Sequence, residues 1–245
     1  MARAQAELSF SAPLPFSPRA PEEITVCGRG FLADPSGALW WAQEATLVVA
    51  DLHLEKGSAA AARGSLLPPY DSRTTISALA ALIGRYSPRR VVALGDSFHD
   101  DGGPGRLAPR DAEDLYRLQR GIEWHWIAGN HDPELPPGIG GHRSPALALG
   151  GLNFRHEPAA GRASHEVAGH LHPAARLLGN GGSVRRKCFV GDGARVVLPA
   201  FGAYAGGLNV LDPAFRPLFG ARDFIVWMLG GATVYPVARA RLGAG

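Results

Sequence analysis

Asp, Asn and His recur between residues 51 and 172, each time just after an apolar run: Asp51-Leu52-His53, Gly95-Asp96, Gly129-Asn130-His131-Asp132, His156 and Gly169-His170-Leu171-His172. Carboxylate, carboxamide and imidazole donors without cysteine suit borderline-hard divalent ions, Mn²⁺, Fe, Zn²⁺ or Ni²⁺ rather than Ca²⁺ or Mg²⁺. Two such ions side by side attract a phosphate, polarise its P–O bonds and lower the pKa of water between them. The chemistry indicated is therefore attack on a phosphate ester. In an extended segment, residues two apart face the same way, so Asp51 with His53, and His170 with His172, are expected to present paired donors from strand ends. Asp96 has two oxygens and can serve both ions, and Gly95 lets the chain turn before it. His131 is expected to face the substrate, protonating the leaving oxygen or stabilising phosphate charge, with Asp132 fixing its tautomer. His99 lies either behind the site or towards the substrate. His125, between Trp124 and Trp126, reads as a packing residue, and His142 and His165 as surface residues.

Donors spread over more than a hundred positions meet only if the apolar runs before them lie side by side. Thr46–Ala50 reads as a strand buried on both faces; Arg90–Leu94 repeats it and Glu123–Ile127 resembles it. Upstream, Ile24–Val26 is a short strand, and Gly30–Ala33 and Ala38–Trp41 flank a turn at Asp34-Pro35-Ser36-Gly37. Helices fit between the strands. Asp71–Tyr86 places Ile76, Leu79, Ala80 and Ile83 on one face, with Asp71 as N-cap and Ser87-Pro88 as the stop; Arg110–Gly121 turns Leu115 and Leu118 inward. The second half is strand-rich, at Leu152–His156, Glu166–Ala168, Lys187–Val190, Arg195–Leu198, Phe224–Trp227 and Ala232–Tyr235, with a tight turn at Gly191-Asp192-Gly193. An α/β fold follows: two mixed sheets face to face, flanked by helices in four α-β-β-α layers. One domain is expected over residues 22–245, behind a loose arm of residues 1–21.

Of the 245 residues 46% are apolar, enough for a substantial core. No apolar run is long enough to span a bilayer, and the N-terminus lacks the apolar stretch and cleavage pattern of a secretory signal, so the cytoplasm is the expected compartment. Cys27 and Cys188 lie far apart without a CxxC partner and read as reduced thiols. The net charge of +3 says little about partners. Its basic residues are nearly all Arg, whose planar fork suits phosphate; Lys56 and Lys187 are the only lysines.

As an ordered set, the motifs at 51–53, 95–96, 129–132, 156 and 169–172 resemble the signature of the calcineurin-like metallophosphoesterases, over about residues 46 to 172. The resemblance implies that family's β-sandwich with outer helices. It also implies one ion on Asp51, His53 and His172, a second on Asn130, His156 and His170, Asp96 bridging them, and His131 as the catalytic histidine. A narrower resemblance, carried by Leu67–Arg73, Leu94–Asp100, Arg186–Phe189 and Leu198–Asn209, is to the bacterial ligase-associated DNA-damage-response endonuclease branch, PdeM. That branch implies a manganese-dependent enzyme cutting single-stranded or structured DNA, associated with a helicase, an exonuclease and an ATP-dependent ligase. Under that reading Arg185, Arg186 and Lys187, with Arg106, Arg110 or Arg63, are candidates to hold flanking phosphates. The same centre also suits a phosphatase or a small-nucleotide diesterase.

Overall fold

The computed structural model describes residues 22–65, 67–135, 137–161, 164–179, 182–220 and 223–244; the arm read in residues 1–21 lies outside them. The first sheet runs, in spatial order, β1 (Glu23–Val26), β2 (Arg29–Ala33), β3 (Leu39–Trp41), β4 (Thr46–Val49), β5 (Arg90–Leu94), β6 (Glu123–Ile127) and β7 (His142–Ser144). Its first three pairings are antiparallel and the rest parallel. The parallel half needs crossovers: α1 (Lys56–Ala62) and α2 (Asp71–Tyr86) join β4 to β5, α3 (Gly103–Arg106) and α4 (Pro109–Leu118) join β5 to β6, and a connection with the 3₁₀ turn Pro137–Ile139 joins β6 to β7. The turn between β2 and β3 forms as the sequence suggests, with the Ser36 N–H donating to Asp34 Oδ1 at 2.9 Å.

The second sheet holds β8 (Ala146–Leu149), β9 (Leu152–Arg155), β10 (Glu166–Ala168), β11 (Pro173–Gly179), β12 (Gly182–Gly191), β13 (Arg195–Val197), β14 (Leu208–Asn209), β15 (Ile225–Leu229) and β16 (Val234–Ala238). It too is mixed: β9, β10 and β13 are parallel, whereas β11, β12 and β15 form antiparallel pairs. Asp192 closes the turn into β13 by accepting from the Ala194 and Arg195 N–H groups at 3.0 and 3.1 Å.

Alternation along the strands separates three cores. Val48, Ala50, Val92, Leu94 and Ile127 point into the space between the sheets, against Phe154, Val167, Phe189, Val196 and Leu198. Their neighbours Leu47, Val49, Val91, Ala93, Trp124 and Trp126 point the other way, onto Ile76, Leu79 and Leu82 of α2 and Leu115 of α4. Beyond the second sheet, Cys188, Val190, Val226 and Met228 pack on Phe215, Leu218 and Phe219. This gives the expected four-layered α-β-β-α sandwich, with its second outer layer, among the described residues, reduced to a 3₁₀ turn, Pro213–Phe215, and the single-turn helix α5 (Arg216–Phe219). Both cysteines carry free thiols, and burial pushes that of Cys188 upward. No described helix is long and apolar enough to cross a membrane.

Candidate metal centre

The loops leaving β4, β5, β6, β9 and β10 bring Asp51, His53, Asp96, Asn130, His156, His170 and His172 to one place. Two groups of donor atoms form, each with all its members within 4.8 Å of one another: Asp51, His53, Asp96 and His172, and Asp96, His156 and His170. Asp96 belongs to both. In the first group His53 Nε2 lies 3.1 Å from His172 Nε2 and 3.9 Å from Asp96 Oδ2, and His172 Nε2 lies 3.4 Å from Asp51 Oδ1. In the second, His156 Nε2 lies 3.4 Å from Asp96 Oδ1, 3.1 Å from His170 Nδ1 and 2.9 Å from Asn130 Oδ1, which adds Asn130 to that group.

Alternation is not what pairs these donors, and the extended geometry expected at 51–53 and 170–172 is corrected here. Asp51, His53, Asp96, His170 and His172 have φ of 53°, 43°, 45°, 71° and 46°, all left-handed. For residues with a Cβ this conformation costs about 1–2 kcal/mol each, and such strain persists where surrounding bonds over-determine it. Here the His53 N–H donates to the Asp96 carbonyl at 2.8 Å, the His170 N–H to Asp51 Oδ2 at 3.0 Å, and the Gly202 N–H to the Asp51 carbonyl at 3.1 Å. The strained residues thus lock one another, and every donor lies on a short tether from a buried strand.

The donor chemistry fits a pair of cations. His156 Nδ1 donates to the Leu94 carbonyl at 2.9 Å, which in the neutral ring leaves Nε2 as a lone pair. That lone pair faces two oxygens that are themselves acceptors, on Asn130 and Asp96. Acceptors converging with no proton between them are repulsive until a cation is shared. Burial, reinforced by His172 and Lys56, pushes His53 down to about 2, and burial with His156 lowers His170, so both imidazoles are neutral donors.

His131 stands beside the donors rather than among them. Its Nδ1 donates to the His99 carbonyl at 2.9 Å, its ring stacks on His99 with centroids 5.3 Å apart, and its Nε2 faces Asp96 Oδ2 at 4.0 Å. Asp132 does not have the role read from sequence. Its side chain is buried beneath the loop and Oδ2 accepts the Phe98 N–H at 2.9 Å; the His99 carbonyl, not this carboxylate, orients His131. Burial pushes the Asp132 carboxyl up to about 7.

The proposed phosphate contacts divide by location. Arg106 is partly exposed but already engaged, donating to Asp100 at 2.6 Å and to Ser58 at 2.9 Å. Lys187 is half-buried and gives N–H groups to the Ala200 and Gly202 carbonyls at 2.8 and 3.1 Å, bracing the segment that holds Asp51. Arg185 donates to the Gly207 carbonyl, and Arg186, exposed on the other face of β12, donates to the Arg185 carbonyl. His99 adjoins both His131 and His53. Sequence reading missed Lys56, at the start of α1, and its one available signal was that lysine occurs only twice in the chain.

Gly129 permits the closest approach in the centre. A Cβ there would overlap the Asp96 backbone nitrogen and carboxylate and sit 2.7 Å from Asp132 Oδ1. Gly129→Ala is therefore expected to destabilise the metal-free protein by about 1–3 kcal/mol through overpacking and to weaken metal binding. Urea unfolding with and without Mn²⁺ checks both.

Fold and site together define a metal-dependent phosphoesterase, with donors for divalent ions. The chain belongs to the calcineurin-like phosphoesterase family, whose description matches residues 45–194. Among solved structures it is similar to the Pseudomonas putida nuclease MPE, at 26% identity, over 89% of this chain and 100% of that one, with a TM-score of 0.69. It also matches Yfce, a phosphoesterase from E. coli, at 16% identity over 79% of this chain and 98% of that one, with a TM-score of 0.37. No curated protein matches the chain.

Proposed function

We propose that the protein is a DNA endonuclease that hydrolyses phosphodiesters in single-stranded or structured DNA with two divalent ions, manganese foremost. Asp51, His53 and His172 would hold one ion, Asn130, His156 and His170 the other, and Asp96 both. The observation that carries the reading is openness: Asn130 is exposed and the His131 side chain is 41% accessible, so a polymer can lie across the donors instead of ending in a closed pocket. The likeness to a nuclease over the whole length of that protein supports it. When bound, the ions supply charge for the phosphoryl oxygens and a lowered pKa for water. The chain's own part is orientation and proton transfer. Because the His99 carbonyl takes the Nδ1 proton, a protonated His131 presents Nε2–H to the substrate and can pass that proton to the departing sugar oxygen. The segments shared with the ligase-associated branch support a place in DNA repair beside a helicase, an exonuclease and an ATP-dependent ligase, in the cytoplasm.

The test uses chelated protein reloaded with Mn²⁺, assayed on circular single-stranded, hairpin and duplex DNA and on bis- and mono-p-nitrophenyl phosphate. Linearisation of the circle, diester turnover well above monoester turnover, and loss of both with EDTA are expected. Fast monoester hydrolysis with no diester cleavage would make the protein a phosphatase and end the nuclease reading.

A further inference from the structure

Lys56 lies three residues beyond His53 and is half-buried, yet its ammonium has no hydrogen bond or ion pair among the described residues. The Leu54 N–H donates to the Ser97 carbonyl and the His99 N–H to the Leu54 carbonyl, both at 2.9 Å, so Lys56, two residues on, leaves the chain beside His99 and the first donor group. Arg106 of α3 joins this corner by donating to Ser58 Oγ but spends its charge on Asp100, which leaves Lys56 as the cation of α1 without an ion pair among the described residues.

Both backbone neighbours of Lys56 are fixed by buried polar groups. The Glu55 N–H donates to Ser72 Oγ at 2.8 Å, and that hydroxyl donates to Glu55 Oε1 at 2.7 Å. The Gly57 N–H donates to Asp71 Oδ2 at 3.0 Å, where a Cβ on residue 57 would press on the same carboxylate, 2.7 Å from Oδ1. Glu55 is left-handed, with φ of 64°, and buried. Burying two carboxylates and a strained residue is unfavourable unless all are satisfied, and the sole cation this network positions is Lys56. The Leu67–Arg73 motif thereby gains a purpose: Asp71 and Ser72 open α2 as clamps for the chain at 55–57. Asp71 is the first residue of α2 rather than its N-cap, its carboxylate being turned to Gly57 instead.

We propose that Lys56 binds the phosphate adjacent to the one being cleaved, and that the Glu55–Ser72–Asp71–Gly57 network holds it there. The enzyme then prefers two consecutive charged linkages, which makes a polynucleotide, rather than an isolated diester, its favoured substrate class. This rests on the nuclease reading above. An ammonium on a flexible stem suits a flanking phosphate, which needs charge more than bidentate geometry.

The experiment uses thymidine oligonucleotides whose linkages are neutral methylphosphonates except for one phosphodiester, or for two adjacent ones. Wild-type protein with Mn²⁺ is expected to show kcat/KM about tenfold higher on the second substrate, beyond the twofold from counting sites. Lys56→Ala and Lys56→Gln should reduce that preference to about twofold, Lys56→Arg should restore part of it, and the log–log salt slope on single-stranded DNA should fall by about 0.7 for the neutral variants. Equal losses on both substrates, or a wild-type preference of only twofold, overturn the subsite. Wild-type protein that hydrolyses bis-p-nitrophenyl phosphate but no oligonucleotide overturns the nuclease reading itself.

Discussion

Asp96→Asn protein is expected to show no Mn²⁺-dependent rise in melting temperature and to hydrolyse a diester at least about 10³-fold more slowly than wild type. Asp96 is the one residue common to both donor groups, so a change there reaches both ions. Asn preserves shape and can still accept the His131 N–H, which Asp96 Oδ1 does at 3.0 Å. What it loses is charge and the second anionic oxygen. Metal stabilisation of the transition state amounts to several kcal/mol, and about 1.4 kcal/mol is tenfold in rate, which sets the size of the loss. Linkage sets the thermal result: an ion at about 1,000 times its Kd adds about 4 kcal/mol to stability, and the variant forfeits that increment. In EDTA the two proteins should melt within a few degrees of each other, because a buried carboxylate facing the partial charges of other acceptors contributes little when no cation is present. A normal Mn²⁺ shift in Asp96→Asn would remove Asp96 from its bridging place.

Apolar runs such as Thr46–Ala50 and Arg90–Leu94 were legible because a strand buried on both faces has no polar positions to disguise it. The donors follow those runs directly, so their convergence was legible too. Their local geometry was not. No glycine marks the left-handed turns at Asp51, His53, His170 or His172, and tertiary hydrogen bonds, not local preference, impose them. The strands β7 and β11 gave no signal: His142-Arg143-Ser144 is polar, and Pro173 opens the other. Asp132 was assigned to His131 by adjacency, but one residue of chain turns its carboxylate inward to Phe98, and the acceptor His131 uses is a backbone carbonyl, which no residue type announces. Lys56 was overlooked for a similar reason. Its placement depends on Asp71 and Ser72, more than a dozen residues away.

His131→Ala is expected to separate catalysis from metal binding, the counterpart of the Asp96 result. Neither ring nitrogen of His131 is in a donor group: Nδ1 is bound to the His99 carbonyl and Nε2 stays 4.0 Å from Asp96. The backbone N–H that Asp96 accepts survives in alanine, so the centre should keep its shape and its full Mn²⁺-dependent thermal shift. The rate on DNA should nevertheless fall by about 10²–10⁴, the range for removing a positioned proton donor. The leaving group tells how the ring works. A deoxyribose alkoxide needs its proton as the bond breaks, whereas p-nitrophenolate leaves unaided. If His131 delivers that proton, the variant loses much less on bis-p-nitrophenyl phosphate than on DNA. If the ring instead stabilises charge on the phosphoryl oxygens, both substrates suffer alike, since that charge is common to both. Exposure of the ring makes the contrast clean, because solvent can reach the gap left by alanine without any repacking of the core.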